Sequence, residues 1–217
     1  VLGLLFPDRC AGCGRSGELL CAACRASIRP YPAHEPPVRG GDALALLDGA
    51  SVAYLFEGAL RKAIHTLKYN RVRRMAEPLG DMLAHHLQSH PQPCDAIIPV
   101  PLHPRRLAER GFNQSELLAH RLAQVSGIPL HTNGLVRCRD TAHQMELDAR
   151  DRLDNVRDAF VWQHPQSPPA RVLLLDDVLT TGATMQACAQ ALRAAGAQEI
   201  RALALARSQA DAASRDG

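Results

Sequence analysis

Val172-Leu173-Leu174-Leu175-Asp176-Asp177-Val178-Leu179-Thr180-Thr181-Gly182-Ala183-Thr184 is the stretch on which the fold turns. Four aliphatic residues in a row predict a strand buried on both faces, as in a parallel sheet. Two adjacent carboxylates stand at its carboxyl end. A short Thr-Thr-Gly-Ala-Thr loop follows, and then a helical pattern from about Met185 to Ala195, stopped by Gly196. Loop amides, threonine hydroxyls and the positive end of a helix dipole together suit a phosphate. The carboxylates can accept hydrogen bonds from vicinal sugar hydroxyls or hold a hydrated cation. The plainer alternative, a buried strand whose polar turn only caps a helix, leaves two neighbouring acids and three threonines without a purpose. The segment therefore predicts a sugar-phosphate site.

Upstream, Asp95-Ala96-Ile97-Ile98-Pro99-Val100-Pro101 predicts a second short buried strand ended by two prolines. It feeds a basic loop from Leu102 to Gln114, in which Arg105, Arg106 and Arg110 can grip a pyrophosphate bidentately. By itself that loop reads as ordinary surface; beside the acidic loop on another strand end, the anion reading is the better one. Asn113 with Glu116 forms a capping box that opens a helix to about Val125. Leu135–Cys138 and Ala159–Trp162 read as short strands. Between them a long polar connection, carrying Arg139, Thr141, Gln144, Arg150, Arg152, Asn155 and Arg157, reads either as a disordered segment or as a functional lid that closes over the site. A final strand is expected over Ile200–Ala206. Strands alternating with helices from residue 95 onward predict an α/β domain, a parallel sheet flanked by helices, with ligands at the carboxyl ends of the strands.

Before this, Ser51–Phe56 predicts a strand. Leu60, Ala63, Ile64 and Leu67 follow at helical spacing, and Leu79, Leu83 and Leu87 mark another helix. The basic run Arg61, Lys62, Lys68, Arg71, Arg73, Arg74 reads either as a solvated surface or as a phosphate- or nucleic-acid-binding one. Lys68 stands out because it ends a helix near the expected site.

The amino-terminal stretch holds four of the seven cysteines as Cys10-x-x-Cys13 and Cys21-x-x-Cys24. That spacing predicts a closed, structural four-thiolate zinc site. A pair of redox motifs is the rival, but it would want a strand–helix context that is missing here. The organisation read from the sequence is a zinc module over 1–28, a Pro/Gly-rich linker over 29–48 and the α/β domain over 49–217. Net charge is a mild +3 and aromatics are 4% of the chain, which disfavours tight stacking of single-stranded nucleic acid. No apolar run is long enough for a membrane helix, and Val1–Phe6 lacks the features of a signal peptide, so a cytoplasmic setting is expected.

Taken together, these motifs resemble the ComF/GntX family of phosphoribosyltransferase-like proteins. The resemblance rests on the four cysteines, the Lys68 region, Ile98-Pro99-Val100-Pro101-Leu102 with Arg105-Arg106, and Arg110-Gly111-Phe112-Asn113-Gln114. It continues through Arg139-x-Thr141-x-x-Gln144, Arg152-x-x-Asn155 and Phe160 to the acidic loop, which matches the binding motif for phosphoribosyl pyrophosphate (PRPP). It implies a type I phosphoribosyltransferase fold with a four-cysteine zinc ribbon and Mg²⁺ entering with PRPP. Asp176 and Asp177 would hold the ribose hydroxyls. Thr180, Thr181, Gly182, Ala183 and Thr184 would hold the 5′-phosphate, and Lys68, Arg105, Arg106, Arg110 and Arg139 would complete the substrate site. The reaction implied is transfer of phosphoribosyl to an unidentified acceptor with release of pyrophosphate. The alternative is a non-catalytic PRPP- or nucleotide-sensing protein, or an adaptor handling single-stranded DNA with other competence proteins. In nucleotide-making relatives a hood selects the base; here it would come from residues 50–93.

Overall fold

The computed structural model describes residues 7–35, 44–139 and 159–208. Four parallel strands form the main sheet in the order β1-β6-β5-β2: β1 (Gly49–Leu55), β2 (Ala96–Pro99), β5 (Arg171–Leu179) and β6 (Glu199–Arg207). On one face Leu173, Leu175, Leu203, Leu205 and Ile97 pack with α2 (Gly58–Lys68), α3 (Ala76–Ser89) and α5 (Gln114–Ser126). On the other face Val172, Leu174, Ile98, Ala202 and Ala204 pack with α6 (Ala183–Ala194). Burial on both faces is why β5 shows an unbroken apolar run rather than alternation. Antiparallel β3 (Leu135–Arg137) and β4 (Phe160–Trp162) form a separate two-stranded sheet packed on α6.

The helical spacing of residues 60–67 is realised in α2, where Leu60, Ala63, Ile64 and Leu67 are all buried. Three expectations need correction. The segment from Leu102 to Gln114 is not a loop throughout, because α4 spans Pro104–Arg110. The His103 side chain caps its start, Pro104 occupies its first turn and left-handed Gly111 stops it. Strand β5 does not end at the acids. It runs on to Leu179, in register with Arg207 of β6, and α6 begins at Ala183, two residues earlier than the periodicity implied. Finally, residues 50–93 do not build a hood apart from the sheet: β1 is the edge of the main sheet and α3 packs on α5.

Both described ends of the Pro/Gly-rich stretch are docked. Tyr31 N–H donates to Ala53 and Leu55 N–H to Arg29, so residues 29–31 cover the open edge of β1. At the other end Asp48 accepts from the Ile200 amide at 2.7 Å. The four-cysteine module carries the short α1 (Ala22–Ala26) and sits on α2. Leu20 is 1% exposed and belongs to the core of the main sheet, Lys62 donates to the Gly12 carbonyl, and Arg74 pairs with Asp8.

Candidate functional site

Strand geometry sends consecutive side chains to opposite faces, so Asp176 and Asp177 are not equivalent. Asp177 lies on the α2/α5 side and is 2% exposed. Its Oδ2 pairs with Lys68 Nζ, and its Oδ1 accepts from Gln114 Nε2 at 3.3 Å. Asp176 is half-buried. Its Oδ1 accepts from Ser115 Oγ at 2.7 Å and from the Asp177 amide at 2.9 Å, while among the described residues its Oδ2 takes no hydrogen bond. Burial first and the Asp177 charge second push the Asp176 carboxyl up to about 7, against the pull of Ser115, Lys68 and the Asp177 amide.

The helix that supplies these partners is fixed from β2. Asn113 donates Nδ2–H to the Val100 carbonyl at 3.0 Å and accepts the Ser115 amide on Oδ1, capping α5 with Gln114 and Ser115 aimed at the acids. Gln114 Oε1 accepts in turn from Arg110 Nη1. Arg110 also lies over Tyr69, 5.7 Å from the ring centroid. Arg71 and Arg73 donate to the Glu109 and Gly111 carbonyls, tying the turn after α2 to the end of α4. Lys68, Gln114, Arg110 and the acid pair thus form one connected group. Arg105 pairs with Glu109 along α4 at 3.5 Å, and Arg106 is half-buried on the same helix. Arg139 is exposed just past β3, and its carbonyl accepts from Arg137. The connection residues Thr141, Gln144, Arg150, Arg152, Asn155 and Arg157 lie outside the described residues.

After Leu179 the chain turns through Thr180 and Thr181. Gly182 then caps α6 with φ 86°, a conformation that favours glycine. The Ala183 amide lies 3.5 Å from Thr181 Oγ1, and the first-turn amides of α6 have no partner within the helix. Three residues escaped the sequence reading. Ser115 and Gln114 contact the acids from 61 and 63 residues away. Arg137 is buried and close enough to Cys188 to offset part of the rise that burial and Asp176 impose on that thiol. The alternation Leu135-in, Val136-out, Arg137-in was the available signal.

The raised Asp176 carboxyl carries a pH signature. Its folded value lies above the ordinary carboxylate value, so the folded chain binds the extra proton between about pH 4 and pH 7. Its contribution to stability is full below that window and is lost as pH rises through it. His86, held down to about 4 by burial and then by His90 and His85, slopes the opposite way. The Asp176→Asn difference isolates the carboxyl. Relative to Asp176→Asn, wild type is expected to lose urea resistance between pH 5 and pH 8; a pH-independent difference would contradict the burial.

At the module, the Sγ atoms of Cys10, Cys13, Cys21 and Cys24 lie within 4.8 Å of one another, a set that could hold a metal ion. Tetrahedral thiolates at about 2.3 Å from zinc would stand about 3.8 Å apart, and Cys13 and Cys21 are 3.8 Å apart. Desolvation pushes the Cys10 thiol up, but the amides of Cys21, Cys13 and Gly12 outweigh it and bring it down to about 6. Cys24 is pushed up to about 12, first by its hydrogen bond to Cys10. A Cβ on Gly12 would sit 2.5 Å from Cys24 Sγ, so only glycine fits beneath that sulfur.

A family model described as phosphoribosyl transferase domain matches residues 163–217. "Competence protein F" of Haemophilus influenzae is 32% identical over 206 residues, 93% of this chain and 85% of that protein. "DNA utilization protein YhgH" of Salmonella typhi is 37% identical over 150 residues, 66% of this chain and 65% of that protein. "Competence protein ComFC" of Bacillus subtilis is 24% identical over 96% of this chain and 88% of its own length. Among solved structures, glutamine PRPP amidotransferase from B. subtilis matches at TM-score 0.45 and 23% identity, over 65% of this chain and 30% of that one. Purine phosphoribosyltransferase from Pyrococcus horikoshii matches at TM-score 0.39 and 21% identity, over 61% and 73%. No helix among the described residues is long and apolar enough to cross a membrane.

Proposed function

The chain belongs to the ComF family of phosphoribosyltransferase-like proteins, and we propose that it binds PRPP at the carboxyl edge of its sheet and transfers the phosphoribosyl group to an acceptor. The observation that carries this reading is the end of β5, where a half-buried and a buried acid are followed by a left-handed glycine that opens a helix. Asp176, whose Oδ2 is open among the described residues, would accept a ribose hydroxyl. Asp177 would hold Lys68 in the floor of the site and meet the second hydroxyl as that amine shifts. Residues Thr180 to Thr184 would hold the 5′-phosphate through amides and hydroxyls. Arg110, with Arg105, Arg106 and Arg139, would face the pyrophosphate. Magnesium bound to the pyrophosphate oxygens would neutralise part of their charge.

In the transfer, the bond from C1′ to the pyrophosphate oxygen breaks and its electron pair leaves with pyrophosphate. The acceptor's lone pair forms the new bond to C1′. Stabilising the departing charge with fixed cations is the main contribution open to this chain. The four cysteines would hold a structural zinc, consistent with their sulfur spacing. The domain limits read from the sequence, a module over 1–28, a connection over 29–48 and the α/β domain over 49–217, fit this division of labour, and the setting proposed with it is the cytoplasm.

A second reading, a PRPP- or nucleotide-sensing adaptor in DNA uptake, is favoured by one observation: Asp177 is held internally by the Lys68 ion pair and the Gln114 amide, as in a site built to bind. The relatives' names point the same way. Calorimetry with PRPP and Mg²⁺ is expected to show binding that falls at least tenfold in Asp176→Ala/Asp177→Ala; unchanged binding would overturn the site. Asp176→Asn serves where the double variant fails to fold. A pyrophosphate-release assay across acceptors then separates enzyme from adaptor, and binding without release under every acceptor selects the adaptor.

A further inference from the structure

Gln114 is 5% exposed and is the first residue of α5. Both ends of its amide are used. An arginine can only donate, so the amide oxygen must face Arg110, and Oε1 accepts from Arg110 Nη1. The nitrogen is thereby turned the other way, and Nε2 donates to Asp177 Oδ1 at 3.3 Å. The backbone that carries it is fixed on both sides. Asn113 is tied to the Val100 carbonyl at 3.0 Å, and Ser115 is tied to Asp176 at 2.7 Å. One amide thus spans from the arginine that ends α4 to the buried acid of β5, in a single orientation. Neither charged replacement could do the same. A carboxylate would meet Arg110 but set like charge against Asp177, and an ammonium would meet Asp177 but repel Arg110.

Arg110 needs such an anchor. It ends α4, a helix with no buried residue, and a long side chain left to itself loses rotamer freedom when it binds. Among the described residues the bond to Gln114 is the one hydrogen bond its guanidinium makes. The Tyr69 ring covers one face, 5.7 Å from the guanidinium carbon to the centroid. The bond to Gln114 uses Nη1. It leaves Nε and Nη2, which lie along one edge of the guanidinium and match two oxygens of an anion. From this arrangement we infer that Gln114 is a positioning residue, which holds Arg110 with that edge presented to the pyrophosphate and fixes its place relative to Asp177. The inference rests on the phosphoribosyl reading of the site and adds the group that makes its two halves act together. Gln114 itself need touch no ligand; it acts through Arg110.

The test is calorimetry of the full chain with magnesium pyrophosphate and, separately, with ribose 5-phosphate, in a cycle of Gln114→Met, Arg110→Met and the double variant. Gln114→Met keeps most of the volume and removes the amide. It is expected to lower pyrophosphate affinity at least about tenfold, the scale of a lost hydrogen bond to a charged group. Ribose 5-phosphate affinity is expected to fall by no more than about threefold, since Asp177 keeps Lys68 and loses one long neutral donor. In the Arg110→Met background, Gln114→Met is expected to cost pyrophosphate nothing further, because the residue it acts through is gone. Gln114→Asn, polar but one methylene too short to span both neighbours, is expected to show the same split where the methionine variant fails to fold. Equal losses for both ligands, or pyrophosphate losses that add in the double variant, would overturn the inference and assign Gln114 to the support of α5. No loss in Gln114→Met would overturn it too. Wild type that binds ribose 5-phosphate but not pyrophosphate would overturn it and leave the sugar-phosphate site standing. Absence of both ligands in wild type would remove that site as well.

Discussion

Lys68→Ala is expected to cost about 3–5 kcal/mol of folding stability at neutral pH, the usual consequence of removing one partner from a buried ion pair. The carboxylate left behind is Asp177, 2% exposed. Its remaining described side-chain partner is the Gln114 amide at 3.3 Å, a long contact for a charge that has lost its cation. The lysine side chain is itself only 19% exposed, so water cannot readily take its place. Urea unfolding at neutral pH measures it. A loss below about 0.5 kcal/mol would show the pair to be solvated.

The double variant Lys68→Met/Asp177→Asn separates stability from function. Both charges go, the methionine keeps most of the apolar stem, and the amide introduced in place of the Asp177 carboxylate can still meet Gln114. Replacing a buried pair by neutral groups is often close to neutral in stability, so most of the loss is expected to be recovered. PRPP affinity is not expected to recover, because the cation and one acid of the proposed site are gone. The coupling energy between the two positions follows from the cycle of single and double variants.

The contrast between these two residues also shows what the sequence could and could not disclose. Lys68 was legible as a candidate because a helical period ends there and a basic run begins. The pair it makes was not, since nothing local relates residue 68 to residue 177. The acidic loop was legible in type: an unbroken aliphatic run needs a strand buried on both faces, and Gly182 marks a left-handed start to a helix. Its bounds were misread because the two acids looked like the end of a strand. Val178 and Leu179 continue it, and their pairing with Ala206 and Arg207 of β6 holds the acids inside the sheet, on opposite faces. Arginine-rich α4 was hidden by its composition, although His103-Pro104 at one end and Gly111 at the other were fair helix signals. Ser115 and Gln114 were visible as the opening of a helix but not as the groups that hold the acids, because that role depends on Asn113 tying the helix to Val100.

Removing the metal expected at the four cysteines has the other large effect, and its reach goes beyond the module. Little besides the sulfurs closes this segment: α1 is five residues long and has no buried residue, and the first knuckle is held by a few turn hydrogen bonds such as Gly14 N–H to the Cys10 carbonyl. Apparent zinc binding energies of about 10–16 kcal/mol are, in such modules, folding energies. Among the described residues of the module, the side chain buried in the main core is Leu20, with Ala11, Leu19, Cys24 and Ile28 packed at its margin. If the knuckles open, Leu20 leaves that core, at a cost of about 2–3 kcal/mol. For a chain of this size that corresponds to a fall in Tm of about 4–12 °C. Cys10→Ser, or exhaustive chelation of the wild type, is therefore expected to lower the Tm of the sheet domain by that amount. The same treatment is expected to open tryptic cleavage at Arg15 and Arg25, with the far-ultraviolet signal of the sheet retained. Leu20→Ala in the metal-loaded protein is expected to reproduce most of the Tm loss without the new cleavage, which assigns the coupling to that side chain. Fewer than one zinc per chain in freshly purified protein, or a Tm indifferent to Cys10→Ser, would show that the four sulfurs are not the keystone of the amino-terminal end.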